Sequence, residues 1–333
     1  MEMYPWHSLQ WILWDRYSLL ERSIGVYSRF LKSSFERAKL QGYTGARWGK
    51  MSDPSGRSAP GEINSLLIWQ QPHTLLFAQY DYRAHPNRNT LKKWEPIVTA
   101  TADWMASYAF WNESSGYYDL GPPMYPVSEN TNPNATRNPT FELAYWRFGL
   151  DIAADWKKKL GKPLPYSWAD VKSQLAPLPV ADGGYAIYEG VPNMWTDPET
   201  LNDHPAMTGI YGLLPQTPGL NLSVMRTTAE RVWATWDFPY SFGWDFPMLS
   251  MNAARLGDVD RAIGFLLDKH WNFDDVGMPI GGDRVATPYF PSSGGLLWAV
   301  ALMAGGWEGS DRKLSQRWPE SWNVVAEGFQ ELL

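Results

Sequence analysis

No cysteine occurs in the 333 residues. Disulfides, thiolate nucleophiles and Cys-ligated zinc are therefore excluded together. Histidine is scarce as well: the five stand at positions 7, 73, 85, 204 and 270, and no two have the i, i+4 spacing of a helical metal pair. No GxGxxG, GxxxxGK[ST], HExxH or GxSxG is present, so the nucleotide, zincin and serine-hydrolase readings lack their motifs. Neither DxDD nor DDxxD occurs, as a terpene cyclase would require. The doublet Asp274-Asp275 is too sparse for a Mg²⁺ or Ca²⁺ site. The expectation is accordingly no metal and no cofactor. Basic tracts are missing, and the net charge is −6 with a pI near 5.4, which argues against a nucleic-acid partner. No apolar run reaches the ~20 residues needed to span a bilayer, so no membrane partner is expected. The start "MEMYPWHSLQ" lacks the basic-then-apolar layout of a signal peptide. A cytoplasmic location is the default expectation, with secretion the alternative if an upstream segment is missing. Composition leaves the oligomeric state open.

Aromatic side chains are abundant: 20 Trp, 17 Tyr and 13 Phe, or 15% of the chain. Each Trp and Tyr combines a flat apolar face with a polar edge, which suits helix packing and the stacking of sugar rings alike. Most are expected in the core, with the remainder lining a site.

Helical patterns dominate the chain. Segments 5–20, 62–82, 139–154, 204–214, 244–256 and 292–304 are apolar nearly all round, and each of the last five follows an irregular loop. Amphipathic stretches at 21–40, 90–110, 167–175, 222–236 and 261–270 follow five of them. The alternation has a period of about 50 residues without a strict sequence repeat. Six helical hairpins closing on themselves form an all-α (α/α)6 toroid, with buried inner and half-exposed outer helices. Residues 1–310 are assigned to this catalytic toroid and 311–333 to a C-terminal tail or short extra element. The sixth outer helix is poorly supported, so an upstream outer helix or an N-terminal β-sandwich domain is expected to be missing.

Residues at the inner-helix N-termini should converge on one mouth. In chain order they include His7, Glu62 and Asn64, Glu129, Asp203 and His204, Trp244 and Asp245. The loops add Arg47, Trp48, Lys50, Asp283, Arg284 and Tyr289, while Gln71 and His73 are polar positions on an otherwise apolar helix. Acids, amides and tryptophans suit a carbohydrate: glycoside cleavage needs one carboxylic acid to protonate the leaving oxygen and a second carboxylate to activate water or attack. Glu129, among Ser128, Asn130, Thr131 and Asn132, is the candidate acid, held by local Asx- and Ser-type hydrogen bonds. Asp245, between Trp244 and Phe246, is the candidate base. Arg47, Trp48, Glu62, Asn64, Gln71, His73, Asp203, His204, Trp244 and Tyr289 are the candidate substrate-binding residues. The partner is then an oligosaccharide or glycoside, and inverting hydrolysis is the first reading. Phosphorolysis, with Arg47, Lys50 and Arg284 available to hold phosphate, and a non-catalytic sugar-binding toroid are the alternatives.

These motifs resemble the six-hairpin glycosidase superfamily, in particular the catalytic domains of glycoside hydrolase families 65 and 95. "VSEN" at 127–130 is similar to the "SPEN" of family 95, whose Glu is the general acid, and the resemblance implies that role for Glu129. "EINSLLIW" from Glu62 resembles "NINLQMNYW", which implies that Asn64 positions the base and the water, with Glu62 in place of the first amide. "SGGLLWAVALM" resembles the "GGIAEMLLQS" type of final inner helix. Family 95 places its base, an Asp, just before that helix, where this chain has Pro291 and no acid. The resemblance therefore leaves Asp245 and Glu62 as candidates for the base.

Overall fold

The computed structural model describes residues 1–281 and 284–333; Asp283 lies outside them. The chain divides into two compact units, one of residues 1–2 and 21–179 and the other of residues 3–20 and 180–333. Helices dominate both. The named strands among the described residues form two short antiparallel hairpins, Phe110–Asn112 with Tyr117–Asp119 and Val180–Ala181 with Gly184–Tyr185. No helix among the described residues is long and apolar enough to cross a membrane.

In the first unit, Arg88–Tyr108 begins where the Asn87 side chain accepts the N–H groups of Asn89 and Thr90 at 2.9 and 3.1 Å. It packs against Thr140–Leu160, which is buried along most of its length and stops where Gly161 takes the left-handed conformation (φ 66°). The apolar stretch 62–82 does not form one helix. It runs as Glu62–Leu66, an irregular turn, and then His73–Ala84 with Pro72 at its N-cap. Leu67 is extended (φ −68°, ψ 127°), and a proline cannot supply the N–H that would carry the helix through. The break leaves main-chain carbonyls without helical partners.

In the second unit, all twelve residues of Asp245–Leu256 are buried, and the helix ends at Gly257 in the left-handed region (φ 92°). Leu222–Thr235 is capped by Asn221, Val259–Leu266 by Asp258, and Pro291–Gly305 packs on Asp245–Leu256. Segment 204–214 departs from the expected α-helix. It is a 3₁₀ helix, Ala206–Tyr211, preceded by Pro205 and followed by Gly212. Its last carbonyls find tertiary partners instead: Asn252 Nδ2 donates to Tyr211 O at 2.9 Å and Arg255 Nε to Gly212 O at 3.0 Å. A Cβ at Gly212 would lie 2.9 Å from Asn252 N, so the close approach requires glycine. Residues 311–333 carry the short 3₁₀ helix Leu314–Gln316 and a bridge of Leu332 to Trp307, within the same unit.

Candidate functional site

The loop bearing Glu129 belongs to the first unit, and two elements outside it hold it. Val127 N–H donates to Glu142 Oε1 at 2.8 Å, from the first turn of Thr140–Leu160. Asn138, with φ 50°, accepts from Leu120 N–H at 2.9 Å and donates to Asp119 Oδ1 at 2.8 Å. Within the loop, Asn132 Oδ1 accepts Asn134 N–H at 3.0 Å, an Asx-type turn.

Glu129 itself is ion-paired to Lys50, and Lys50 Nζ also lies 3.6 Å from Glu2 Oε2. One ammonium therefore serves two carboxylates. Glu2 is the more enclosed of the two, its side chain 13% exposed against 28% for Glu129. Trp69 Nε1 donates to Glu2 Oε1 at 3.0 Å, and Glu2 N–H donates to Lys50 O at 3.1 Å. Burial raises the Glu2 carboxyl to about 7; Glu129 pushes in the same direction and Lys50 opposes. Glu2 thus exchanges a proton near neutrality.

Beneath it, His73 places Nε2 2.9 Å from Glu2 O and Nδ1 2.9 Å from the Tyr145 hydroxyl. Its burial lowers the imidazole to about 3, so the ring is neutral and acts as a hydrogen-bonding support. Glu142, 1% exposed, is raised to about 8 by burial. A protonated carboxyl accordingly anchors the Glu129 loop at neutral pH.

Several residues expected at the mouth lie elsewhere. Trp48 is 1% exposed, donates to Thr101 Oγ1 at 2.8 Å and meets the Tyr27 ring edge-on at 5.3 Å. Gln71 is enclosed; its Oε1 accepts Trp48 N–H at 3.0 Å and its Nε2 donates to Ala46 O at 2.7 Å. Arg47 turns inward, reaching Ser65 O at 3.2 Å and Leu67 O at the helix break and Trp48 O at 2.9 Å in its own loop. Structural demand therefore accounts for all three. Asn64 reaches back to Pro60 O at 2.8 Å, and Glu62 is exposed in the first turn of its helix.

The second unit brings Asp203, His204, Trp244 and Asp245 together. Asp245 is completely buried: its Oδ1 lies 2.8 Å from His204 Nδ1, and its Oδ2 accepts Phe242 N–H at 2.9 Å. Burial raises its carboxyl and the His204 partnership opposes the rise. A carboxylate facing Nδ1 selects the tautomer with the proton on that nitrogen and leaves Nε2 as the acceptor. The imidazole lies between Phe242 and Trp244, each with its centroid 4.4 Å away. Asp203 Oδ1 accepts His204 N–H at 2.7 Å, and Arg284 lies 3.5 Å from Asp203 Oδ2. Trp244 is 2% exposed, packed on Trp6 at 4.8 Å, so its ring is core. Tyr289 is half-buried and tied through its backbone N–H to Pro279 O at 2.9 Å. Enclosed as it is, Asp245 addresses His204 and not solvent.

The sequence reading did not single out Glu2 or Glu142. Glu142 is signalled by an acid inside the apolar run "PTFELAYWR". Glu2 has no local signal, because the long-range contact with Lys50 alone defines its position.

No protein-family model and no curated protein matches this chain. Among solved structures, sixteen chains match. One, named "Putative kojibiose phosphorylase from human microbiome", superposes with a TM-score of 0.62 over 86% of this chain at 10% sequence identity. The likeness bears out the expected fold class, an all-α toroid. The chain spans 44% of that protein's length.

Proposed function

We propose that the protein is a carbohydrate-active enzyme that cleaves a glycosidic bond, with Glu129 as the proton donor. The observation that carries this reading is the Glu2–Lys50–Glu129 cluster: a partly exposed carboxylate beside a second, enclosed one raised to about 7. Burial keeps the Glu2 carboxyl protonated up to about pH 7, and Glu129, the more exposed of the two, is the one able to face a leaving oxygen. The six-hairpin fold and the "VSEN" motif support the same role. Within the second unit, taken by itself, the candidate base is His204, oriented by Asp245; this replaces direct action by Asp245, whose oxygens are both engaged. Substrates are oligosaccharides or glycosides. Hydrolysis is the first reading. Phosphorolysis is favoured by the name of the matched protein and by the Lys50 ammonium beside the donor.

The test is turnover of a panel of glucobioses, kojibiose included, and of aryl glycosides, with and without inorganic phosphate. Free sugar in phosphate-free buffer indicates a hydrolase, and sugar 1-phosphate formed only with phosphate indicates a phosphorylase. Glu129→Gln, unable to give up a proton, should nearly abolish turnover of natural linkages while sparing aryl glycosides with good leaving groups. Wild-type rates on a disaccharide from that variant would remove Glu129 from the mechanism.

A further inference from the structure

A cavity of about 210 Å³ opens in the first unit, and none of Glu2, Lys50 or Glu129 lines it. Its walls include Tyr43, Trp104 and Tyr108, with Gln41, Ser65 and Arg47 as the polar members. The aromatic wall is organised: Trp104 and Tyr108 stack at 4.8 Å with 17° between their planes, and Tyr43 packs at 5.4 Å from each. The Arg47 guanidinium lies 4.8 Å from the Trp104 centroid and is 1% exposed.

The charge there is unusual. Burial lowers Arg47 to about 10, which still leaves it fully cationic at neutral pH. Its acceptors are neutral oxygens, those of Trp48, Ser65, Leu67 and the Gln71 amide. Arg37 adds a second guanidinium nearby, bonded to Arg47 O at 2.8 Å and Gly56 O at 2.7 Å, again neutral. Buried charges are ordinarily paired with the opposite sign, so hydrogen bonding is satisfied here while charge is not. Gln41, on the same wall, is held by its Nε2, which donates to Ser65 O at 3.2 Å. The cavity therefore offers a flat apolar wall and a positive potential. Its volume falls below the roughly 300–1,000 Å³ of sites for drug-sized ligands, which limits the occupant to about one ring.

We propose that this cavity binds a small one-ring aromatic carboxylate, its ring against Trp104 and Tyr108 and its negative charge toward Arg47. The site is separate from the Glu129 cluster and does not depend on the function proposed above.

Calorimetric titration of the whole chain with benzoate and the uncharged isostere benzamide tests it. Benzoate should bind saturably, and benzamide should bind about tenfold or more weaker, the effect of one charge-assisted contact. Added salt should weaken benzoate and leave benzamide unchanged. Ser65→Trp, at an exposed position on the rim, should abolish benzoate binding without altering the melting temperature. Equal affinity for benzoate and benzamide, or no binding of either, would mean that the carbonyls already neutralise Arg47 and would overturn the proposal. Undiminished binding by a folded Ser65→Trp would place the ligand elsewhere and overturn it equally. The salt series on the unmodified protein keeps the test decisive if that variant does not fold.

Discussion

Glu142→Gln isolates the buried acid that anchors the Glu129 loop. The carboxyl is 1% exposed and accepts Val127 N–H at 2.8 Å, and burial raises it from 4.5 to about 8. In the unfolded chain it titrates near 4.5, so between that pH and about 8 the folded state holds a proton that the unfolded state has released. Stability then falls as pH rises, by about 1.4 kcal/mol per pH unit, and the loss across the window reaches about 5 kcal/mol. The sign is that of any group raised on folding: its contribution is complete below 4.5 and gone once the pH passes 8. Gln keeps the acceptor for Val127 and cannot ionise. The variant should match the wild type near pH 4.5 and exceed it progressively above, by several kcal/mol at pH 8. Because Glu2 titrates in both proteins, the difference between their stability curves reports Glu142 alone. Chemical denaturation at half-unit intervals from pH 4.5 to 8.5 measures it. A difference that does not vary with pH would show that Glu142 is ionised in the fold and would refute the reasoning. Glu142→Ala is the control, because it leaves Val127 N–H unpaired at every pH, a cost of about 1–3 kcal/mol.

The alternation of all-apolar and amphipathic segments made the all-α toroid legible, and boundaries followed wherever punctuation was local. Asp245–Leu256 and Pro291–Gly305 fall within one residue of their expected spans, since Gly257 and Pro291 mark ends that depend only on neighbouring backbone. Segment 204–214 was misread because its apolar composition suits a helix, while its 3₁₀ form is decided by Asn252 and Arg255, more than forty positions on. The same limit governs the site. Glu129 was legible from "VSEN", and His204 and Asp245 from their places at element starts. Their pairing was not, because it depends on a contact of sequence separation 41. Arg47 and Trp48 were placed at the mouth because their loop is rich in glycine and serine. The break at Leu67, visible only once Pro72 is seen to cap a new helix, offers carbonyls that draw Arg47 inward.

The remaining predictions concern the second unit. Trp244→Ala should cost about 3–5 kcal/mol of stability, as truncation of an enclosed aromatic does, with melting temperature as the readout. An unchanged melting temperature with weakened sugar binding would restore Trp244 to a stacking role. Asp245→Asn removes one of two acceptors. Asp245 takes both Phe242 N–H and His204 Nδ1, whereas an amide offers one oxygen and one NH₂. If the oxygen stays on Phe242, the NH₂ faces His204 and requires Nδ1 to accept, which moves the imidazole proton to Nε2. A base whose accepting nitrogen has become a donor cannot take a proton, so turnover should fall by about 10⁴, the scale seen when a carboxylate orienting a catalytic histidine is neutralised. Imidazole ¹⁵N shifts read the tautomer directly, and kcat at several pH values reads the consequence. A reversed tautomer with unchanged kcat would mean that His204 is structural. An unreversed tautomer with stability lower by about 1–3 kcal/mol would mean that Asp245 serves mainly to tie down Phe242.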